Sequence, residues 1–515
     1  MSKTSQLLGF VMLTLASLAG CHRTTDTHSN DLKVQTSKQA IAWHRGNADG
    51  ALAAAKASGK DALLYWGAKW CAPCNRLKST LFRDPGFIRL TERFVPIYID
   101  GDDANAQQWG DRFHFVGYPT LILMSPTGLE IGRPDSNQSP ASITQALAYA
   151  AERGQSPARL IDQGAANPAS LSAADWATVA QFDARTLAFD GPQGQEKLKI
   201  LAAAAPNDAL RQRLALLSFM PFALPNQLLH FEPVVLSDSQ RHRVEPVLWN
   251  ALSRPVDILG EGFLPYYVEA RLLAAMPASP RKQALRRKLL AATAANRANP
   301  AVASPDKIDT LAIDLALVRN NRPSVPAAFK DQVRGATEAA LATAKNPALR
   351  QSILHESSLV RRDAGDVEGV HHMLLANLGK LTNPQDAYER LSENAEMRGK
   401  SSEAVAWLRR EYLAETGPAS RLRFALDYSE AAMRLTPKDK AAVEQSTDAV
   451  LAAVVRAGGN SSERMRRDSK QWLLAVRKWS TESGNRRLAT MVAVALSRAC
   501  EATKHAGPSC VTVGA

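Results

Sequence analysis

Hydrophobic and polar positions between residues 48 and 153 alternate between helical and strand-like patterns. The alanine-rich stretch Ala48–Ser58 has helical character and precedes Gly59, a residue type that commonly ends helices. Residues 61–68 form a continuous apolar run, which is typical of a strand buried on both faces of a sheet. The same criteria predict helices over 74–82, 104–113 and 142–152, a short helix opened by Asp84 and Pro85, and strands over 94–99, 120–124 and 129–132.

The order of these elements is βαβα, followed by a hairpin and a helix. Crossover helices require a parallel strand pair, whereas a hairpin adds antiparallel strands. The pattern therefore predicts an α/β domain built on a mixed sheet.

From about residue 156 the strand patterns nearly vanish, and Ala, Leu, Arg and Glu recur at helical spacing. The later predicted helices form pairs of roughly 35–40 residues, which is typical of helical-hairpin repeats. We therefore predict an all-α, solenoid-like domain, with an irregular bundle as the alternative. One pair, 385–418, loosely resembles a tetratricopeptide unit through Leu391, Ala404, Leu408 and Pro418. The predicted helices cover 385–398, 402–415, 420–435, 440–456, 463–481 and 487–503, and six prolines predict an irregular joint over 219–265.

The N-terminus has the anatomy of a secretory signal peptide. One early charge, Lys3, precedes the apolar stretch 7–20, which is too short to span a bilayer comfortably. The stretch runs into the sequence LAGC at Cys21, which resembles the lipobox of bacterial lipoproteins; plain secretion is the alternative. The resemblance implies cleavage before Cys21 and its lipidation, and therefore a firm membrane anchor. His22, where an aspartate would imply inner-membrane retention, favours the outer membrane.

Composition and charge add little specificity to this picture. Hydrophobic residues are 45% and charged residues 22%, which excludes a mainly disordered or fibrous protein. The formal net charge of +13 lies mostly beyond residue 155, where 47 Lys and Arg are spread among 37 Asp and Glu. A diffuse excess of this kind predicts a solvated surface, so we expect no nucleic-acid partner. The predicted division is 1–21 signal peptide, 22–38 flexible tether, 39–154 α/β domain and 155–515 all-α domain.

Export would place the chain in an oxidising compartment, where disulfides persist. Of its five cysteines, Cys500 and Cys510 lie ten residues apart near the C-terminus. They are predicted to form a structural disulfide, and two unpaired thiols in a loose tail are the alternative.

The pair Cys71 and Cys74, in the motif WCAPC at 70–74, carries the strongest chemical signal. The motif follows a predicted buried strand and opens a predicted helix. Cys71 would face the positive end of the helix dipole, which favours its thiolate and makes it the nucleophile. Cys74, one turn further, would attack a mixed disulfide and release the product. The alternatives are an inert structural disulfide and half of a zinc site, but no second CxxC or CxxH lies nearby, and we predict no metal and no cofactor.

Over roughly residues 40–153 the chain resembles the thioredoxin-like superfamily. The resemblance rests on WCAPC and on the motif GYPT at 117–120, before the predicted strand 120–124. It implies that Pro119 is cis and packs beside the disulfide, that Tyr118 offers its backbone to an extended substrate chain, and that Trp70 shields the site. The stretches 81–85 and 95–100 also resemble periplasmic thioredoxin-like domains such as the C-terminal domain of the DsbD reductant.

The sequence departs from that family at a position that matters for proton transfer. Many thioredoxins have a buried Asp six residues before the first Cys, where this chain has Tyr65, and the Lys partner of that Asp falls at Pro96. The acid thought to help deprotonate the second Cys is therefore missing; a bound water or the Tyr65 hydroxyl is the expected substitute. Lys69 would favour the Cys71 thiolate by its charge, or is simply solvated.

Several other polar or aromatic side chains are weaker candidates. We expect a surface or packing role for His114, a solvated loop for the three aspartates at 100, 102 and 103, a helix-surface pair at 371 and 372, and core or site-edge positions for the remaining tryptophans of the α/β domain, Trp43, Trp66 and Trp109.

Taken together, the motifs predict a lipid-anchored thiol-disulfide oxidoreductase of the bacterial envelope that faces the periplasm. Its partners would be protein thiols or disulfides and an upstream redox protein, and the helical domain would recruit or orient one of them. The alternative is an envelope scaffold or redox-sensing protein whose thioredoxin-like module has low turnover. A basic surface for anionic envelope polymers is ranked last, because it rests on charge alone.

Overall fold

The computed structural model describes residues 40–45, 48–103, 105–115, 117–182, 191–224, 234–319, 324–457 and 462–502. The predicted signal peptide and tether, with the lipidation site Cys21, lie outside the described residues. The predicted Cys500–Cys510 disulfide also lies outside them, because Cys510 and the side chain of Cys500 are not described.

Five strands form a mixed sheet in the N-terminal part of the described chain: β1 His44–Arg45, β2 Ala62–Gly67, β3 Val95–Asp100, β4 Thr120–Met124 and β5 Glu130–Gly132. Their spatial order is β1-β3-β2-β4-β5. The central strand β2 runs parallel to β3 and antiparallel to β4, and β5 pairs antiparallel with β4. The predicted strands and their mixed pairing are confirmed. The edge strand β1 was missed because two residues carry no periodicity.

Five α-helices accompany this sheet, and their capping follows the sequence. The carboxylate of Asp84 accepts a hydrogen bond from the Phe87 N–H at 2.8 Å, which confirms the predicted helix start at Pro85. The helix after β2 begins at Ala72 instead of the predicted residue 74, because Pro73 is compatible with a first helical turn. The helices are α1 Ala48–Ser58, α2 Ala72–Ser79, α3 Pro85–Thr91, α4 Ala106–Arg112 and α5 Pro140–Arg153, with a 3₁₀ turn at Leu81–Arg83.

The described residues beyond α5 are almost entirely helical, as predicted from their spacing. Nineteen α-helices and three 3₁₀ turns, Pro168–Ser170, Ala251–Ser253 and Leu378–Lys380, are found there. The helices are α6 Pro157–Ala166, α7 Ala173–Gln181, α8 Gly191–Ala204, α9 Asp208–Ser218, α10 Met220–Ala223, α11 Asp238–Asn250, α12 Ile258–Glu261, α13 Phe263–Ala275, α14 Pro280–Ala298, α15 Ser304–Arg319, α16 Ala327–Ala342, α17 Pro347–Asp363, α18 Val367–Leu375, α19 Gln385–Met397, α20 Ser401–Ala414, α21 Pro418–Leu435, α22 Lys440–Arg456, α23 Glu463–Glu482 and α24 Arg486–Ala502.

The predicted irregular joint over 219–265 is wrong in part. Helix α11 continues through Pro246, whose missing N–H is tolerated while Val244 and Leu248 are buried. Pro221 and Pro265 lie in first turns, where a missing N–H costs little. The number of prolines therefore predicted more irregularity in this segment than the structure has.

The six later helices lie within one or two residues of their predicted ends, and successive helices pack against each other from α19 to α22. The repeat character of this region stays a prediction. No helix among the described residues is both long and apolar enough to cross a membrane.

Sheet and helices share a hydrophobic core. One buried cluster combines one face of the sheet with apolar side chains of α20 to α24, and it contains both Cys71 and Cys74. The opposite face of the sheet packs on α1 and α4 around Trp66 and Ile97. The described residues from 40 onward belong to one compact unit. The helical region thus packs directly against the sheet domain.

Truncating the centre of this sheet tests the packing. Leu64→Ala in β2 is expected to lower the free energy of unfolding by about 2–5 kcal/mol, because Leu64 is fully buried and its loss leaves a cavity. Urea denaturation measures the change. Leu129→Ala is the matched control, since Leu129 is 40% exposed and should cost far less. Equal losses from the two variants would contradict the described packing.

Candidate active site at the N-terminus of α2

Cys71 and Cys74 are joined by a disulfide at the start of α2, with their Cα atoms 5.2 Å apart. Cys71 is the N-cap residue, and its Sγ accepts a hydrogen bond from the Cys74 N–H at 3.0 Å. The positive end of the helix is therefore directed at the Cys71 sulfur, an arrangement that stabilises a thiolate after reduction. The sequence-based placement of both cysteines on one helix start is confirmed.

The peptide bond between Tyr118 and Pro119 is cis, as the resemblance implied. The ring of Tyr118 meets that of Trp70 edge-on, with ring centroids 5.8 Å apart. The Tyr118 hydroxyl accepts a hydrogen bond from the Gln107 side chain at 3.1 Å, and burial raises the pKa of Tyr118 to about 12. Tyr118 therefore stays neutral and serves as a packing and hydrogen-bonding group.

Trp70, predicted to shield the site, is itself covered by the helical region and is only 7% exposed. Its indole N–H donates to the Ser420 hydroxyl at 2.7 Å, and its carbonyl accepts from the Gln351 amide at 2.6 Å. Phe424 meets the indole edge-on at 5.1 Å, and the Arg423 guanidinium lies 4.8 Å from the ring centre. As a result Cys71 is only 3% exposed and Cys74 is fully buried.

The predicted solvated loop of aspartates is wrong for two of its three members. Asp100 is buried, and Lys69, itself 75% exposed, lies 3.6 Å from its carboxylate. Asp102 binds Ser420 through both carboxylate oxygens, and burial raises its pKa although those hydrogen bonds oppose the change. Asp103 accepts a hydrogen bond from the Asp100 N–H. The described residues contain no group of His, Cys, Asp or Glu arranged to hold a metal ion.

The second turn of α2 carries a buried charge that the sequence analysis missed. Arg76 lies 2.6 Å from the Asp306 carboxylate and 3.3 Å from that of Asp309, both on α15. Next to it, the amide of Asn75 donates to Gln351 on α17 at 3.0 Å. In the sequence Arg76 resembles an ordinary solvated arginine, because its partners lie more than 200 residues away.

Burial also controls the acids around Arg76. It raises the pKa of Glu356 to about 8, and neighbouring Asp309 adds to the effect. His355 lies beside Glu356 on α17. Burial disfavours its charged form, but Asp386 of α19 raises the pKa of His355 to about 9, because the carboxylate lies 2.8 Å from the ring nitrogen Nδ1. This half of the interface therefore holds several charges that titrate outside their ordinary range.

Tyr65 occupies the position of the missing acid and does not replace it. It is buried and stacks on Tyr98 with ring centroids 5.2 Å apart. Burial raises its pKa well above the ordinary value, and its hydroxyl has no hydrogen-bond partner among the described residues. The expected hydrogen bond from Tyr65 toward the site is therefore absent, while Pro96, two residues before Tyr98, pairs with Leu63.

The remaining candidates lie where packing or solvent explains them. His114 is exposed and adopts a positive φ of 52°, and the rings of His371 and His372 are 5.9 Å apart on α18. Trp66 and Trp109 belong to the core beneath the sheet, and Trp43 packs against Tyr65 at the other face.

Comparison with known proteins agrees with this geometry. A sequence model of the family described as "Thioredoxin-like domain" matches residues 48–151. These residues form a thioredoxin-like α/β domain, as predicted, and a predominantly helical region follows it.

Three curated relatives match a part of the chain. "Thiol:disulfide interchange protein DsbD 1" of Pseudomonas aeruginosa is 31% identical over 113 residues, which are 20% of this chain and 18% of the relative. "Thiol:disulfide interchange protein DsbD 2" of the same organism is 32% identical over 84 residues, 16% of this chain and 14% of the relative. "Thiol:disulfide interchange protein DsbD" of Pseudomonas fluorescens is 29% identical over 83 residues, with the same two shares. The chain therefore spans less than a fifth of the length of these relatives.

A solved structure, "Solution structure of a thioredoxin from Thermus thermophilus", is 28% identical. The match covers 21% of this chain and 86% of that chain, with a TM-score of 0.20.

Removing the buried cation tests the interface behind the disulfide. Arg76→Met is expected to lower the free energy of unfolding by about 3–5 kcal/mol, because it leaves two buried carboxyl groups without their partner. The matched control is Arg434→Met, which breaks an exposed pair with Glu396 and should cost about 0–1 kcal/mol. Urea unfolding of both variants measures the difference; a loss for Arg76→Met no larger than for the control would refute the buried pair.

The raised pKa of Glu356 predicts a pH dependence of stability. Between its unfolded value of 4.5 and its folded value of about 8, the folded state binds the extra proton, so stability falls as pH rises. Glu356→Gln should therefore gain stability relative to wild type at pH 8, by roughly a few kcal/mol, and much less at pH 5. Urea unfolding at the two pH values measures this. Glu482→Gln, at an exposed position, controls for the removal of a charge. A difference in unfolding free energy between wild type and Glu356→Gln that is the same at both pH values would contradict the prediction.

Proposed function

We propose that the protein is a thiol-disulfide oxidoreductase that exchanges disulfides with protein substrates through Cys71 and Cys74. The observation that carries the proposal is the Cys71–Cys74 disulfide at the start of α2, in the same domain as the cis bond before Pro119. A helix N-terminus favours the thiolate of the attacking cysteine, and a second cysteine one turn further can resolve a mixed disulfide. The names of the curated relatives support the same chemistry.

In the reducing direction the dithiol form transfers two electrons to a substrate disulfide. The Cys71 thiolate attacks one substrate sulfur, forms a mixed disulfide and releases the other substrate sulfur as a thiolate. The Cys74 thiolate then attacks the Cys71 sulfur, which releases the second substrate thiolate and restores the Cys71–Cys74 bond. Both released thiolates take protons from solvent. Trp70, Tyr118 and Pro119 would hold the substrate chain beside Cys71.

The setting of this reaction is proposed from the sequence. Acylation of Cys21 would anchor the chain to a bacterial membrane, and His22, which follows it, favours the outer membrane. The tether 22–38 would place the catalytic domain in the periplasm. An upstream redox partner would restore the starting state of the cysteines. The division at 154, between domains 39–154 and 155–515, and a stabilising Cys500–Cys510 disulfide belong to the same proposal.

A second function is favoured by one observation, the burial of the cysteines. With Cys71 only 3% exposed, the domain in this conformation offers no sulfur to a bulky substrate. An envelope scaffold whose disulfide senses redox state, with little turnover, would have this property. The two functions differ in whether the folded full-length chain turns over a protein disulfide.

Cysteine substitutions in the full-length chain test the oxidoreductase. Cys71→Ser should abolish the reduction of insulin by dithiothreitol above background, because the nucleophile is lost. Reduced Cys74→Ser should accumulate a mixed disulfide with insulin, visible on a non-reducing gel, because nothing resolves it. The control is the double variant Cys500→Ser/Cys510→Ser, which removes two cysteines outside the CxxC motif and should turn over as wild type. A folded wild type without turnover, together with an untrapped Cys74→Ser, would favour the scaffold.

A further inference from the structure

We propose that helices α21 and α23 form a closable cover over the Cys71–Cys74 disulfide, and that Asp102 is the latch that holds the cover shut. The proposal rests on the proposed function and adds regulation of access to its site. The closed position is the one the structure shows, and disulfide exchange takes place when the first turn of α21 leaves Trp70.

The closed site has no room for a substrate. The cavity left beside Trp70 and Tyr118 has a volume of about 40 Å³ and is bounded by Arg423, Arg464 and Asp468 of α21 and α23. A single water needs roughly 10–15 Å³ measured in this way, so the cavity holds a few waters at most. A polypeptide segment cannot enter it, and the cover must move before a substrate disulfide reaches Cys71.

The latch is a carboxylate that caps a helix from the other part of the chain. The N-cap residue of α21 is Gly417, which has no side chain to satisfy the N–H groups of the first turn. Asp102 performs this role: its carboxylate accepts from the Ser420 N–H at 2.8 Å and from the Ser420 hydroxyl at 2.6 Å. Its negative charge at a helix N-terminus adds a favourable electrostatic interaction.

The same serine connects the latch to the active site. The Ser420 hydroxyl donates to Asp102 and accepts from the indole N–H of Trp70, the residue directly before Cys71. The contact is therefore a chain of two hydrogen bonds from the catalytic motif to the capping carboxylate. If Asp102 releases Ser420, both ends of this chain can bond to water, and the indole loses its fixed position.

A second carboxylate of the thioredoxin-like domain acts in the same way on α23. The Asp111 carboxylate accepts from the backbone N–H of Glu463, the first residue of that helix, at 2.7 Å. Two helices that bound the cavity are thus held at their N-termini by aspartates of the thioredoxin-like domain. Side-chain caps of this kind exchange with water more readily than buried apolar packing, which makes the helix ends the natural place for opening.

The test measures how fast a small reductant reaches the disulfide in the oxidised full-length chain. Wild type, Asp102→Ala and Asp102→Asn are treated with tris(2-carboxyethyl)phosphine, and reduction is followed by mass spectrometry of the peptide that contains Cys71 and Cys74. Wild type should react far more slowly than the same chain unfolded in guanidinium. Asp102→Ala should react about tenfold faster than folded wild type, the factor expected from loss of one helix cap. Asp102→Asn, which keeps an acceptor oxygen without the charge, should lie between.

The matched control is Asp439→Ala, which removes an exposed aspartate that caps α22 by accepting from the Ala442 N–H at 3.0 Å. It should leave the reduction rate within about twofold of wild type, because it weakens a helix without touching the cover. Thermal unfolding of each variant shows whether the chain is folded. If Asp102→Ala does not fold, the comparison is made with Asp102→Asn. Reduction of wild type at the unfolded rate, or equal rates for the Asp102 and Asp439 variants, would overturn the latch.

Insulin turnover by the same proteins separates this proposal from the proposed function. If the phosphine reduces Asp102→Ala faster than wild type and no variant turns over insulin, the result supports the cover and contradicts the proposed oxidoreductase function. If wild type turns over insulin and the phosphine reduces Asp102→Ala at the wild-type rate, the result supports the oxidoreductase function and contradicts the latch. A parallel rise of both rates in Asp102→Ala supports both.

Discussion

The hydrogen bond between the Trp70 indole and Ser420 is the contact on which the arrangement of the site depends. It joins the residue before Cys71 to a helix 350 positions later in the chain. Because Trp70 is fixed there, Phe424 and Arg423 close over its ring, and the disulfide behind it becomes part of a core shared by sheet and helices. A surface that could receive substrates is thereby converted into an internal interface.

The interface is polar where it meets α2, and this polarity has an energetic meaning. Arg76 with Asp306 and Asp309, and Asn75 with Gln351, take groups out of water that apolar side chains could replace at similar or better stability. These contacts contribute to the positioning of the helices, because a buried ion pair forms in one relative position of two helices and is broken in others. Helices α15 and α17 are therefore fixed in position relative to the CxxC motif more strictly than hydrophobic contact alone would fix them.

The features predicted from the sequence are those encoded by neighbouring residues. The run at 61–68, the Asp84–Pro85 helix start and the WCAPC helix each depend on a few adjacent positions, whereas the cis bond before Pro119 was implied by the family resemblance. The exposure of the site could not be predicted, because Ser420, Gln351 and Asp306 are ordinary surface residue types in a local window. The same reason explains the error at Asp102: an aspartate after a strand usually meets water, and its helix partner is specified 318 positions away. Two-residue β1 and the helix through Pro246 were missed because pairing and packing overrode weak local patterns.

Burial and helix capping act in opposite directions on the reactive sulfur. The N-terminus of α2 favours a thiolate at Cys71. Burial disfavours it, because Cys71 is only 3% exposed and water cannot solvate the charge. The family's internal acid is replaced by Tyr65, whose hydroxyl makes no hydrogen bond in the described chain, so the closed site has no group there to take a proton. Opening the cover would admit water as well as substrate, and water supplies both the solvation and the proton acceptor. Access and nucleophilicity are then changed by one motion, and a protein built in this way stays unreactive until its helical region moves.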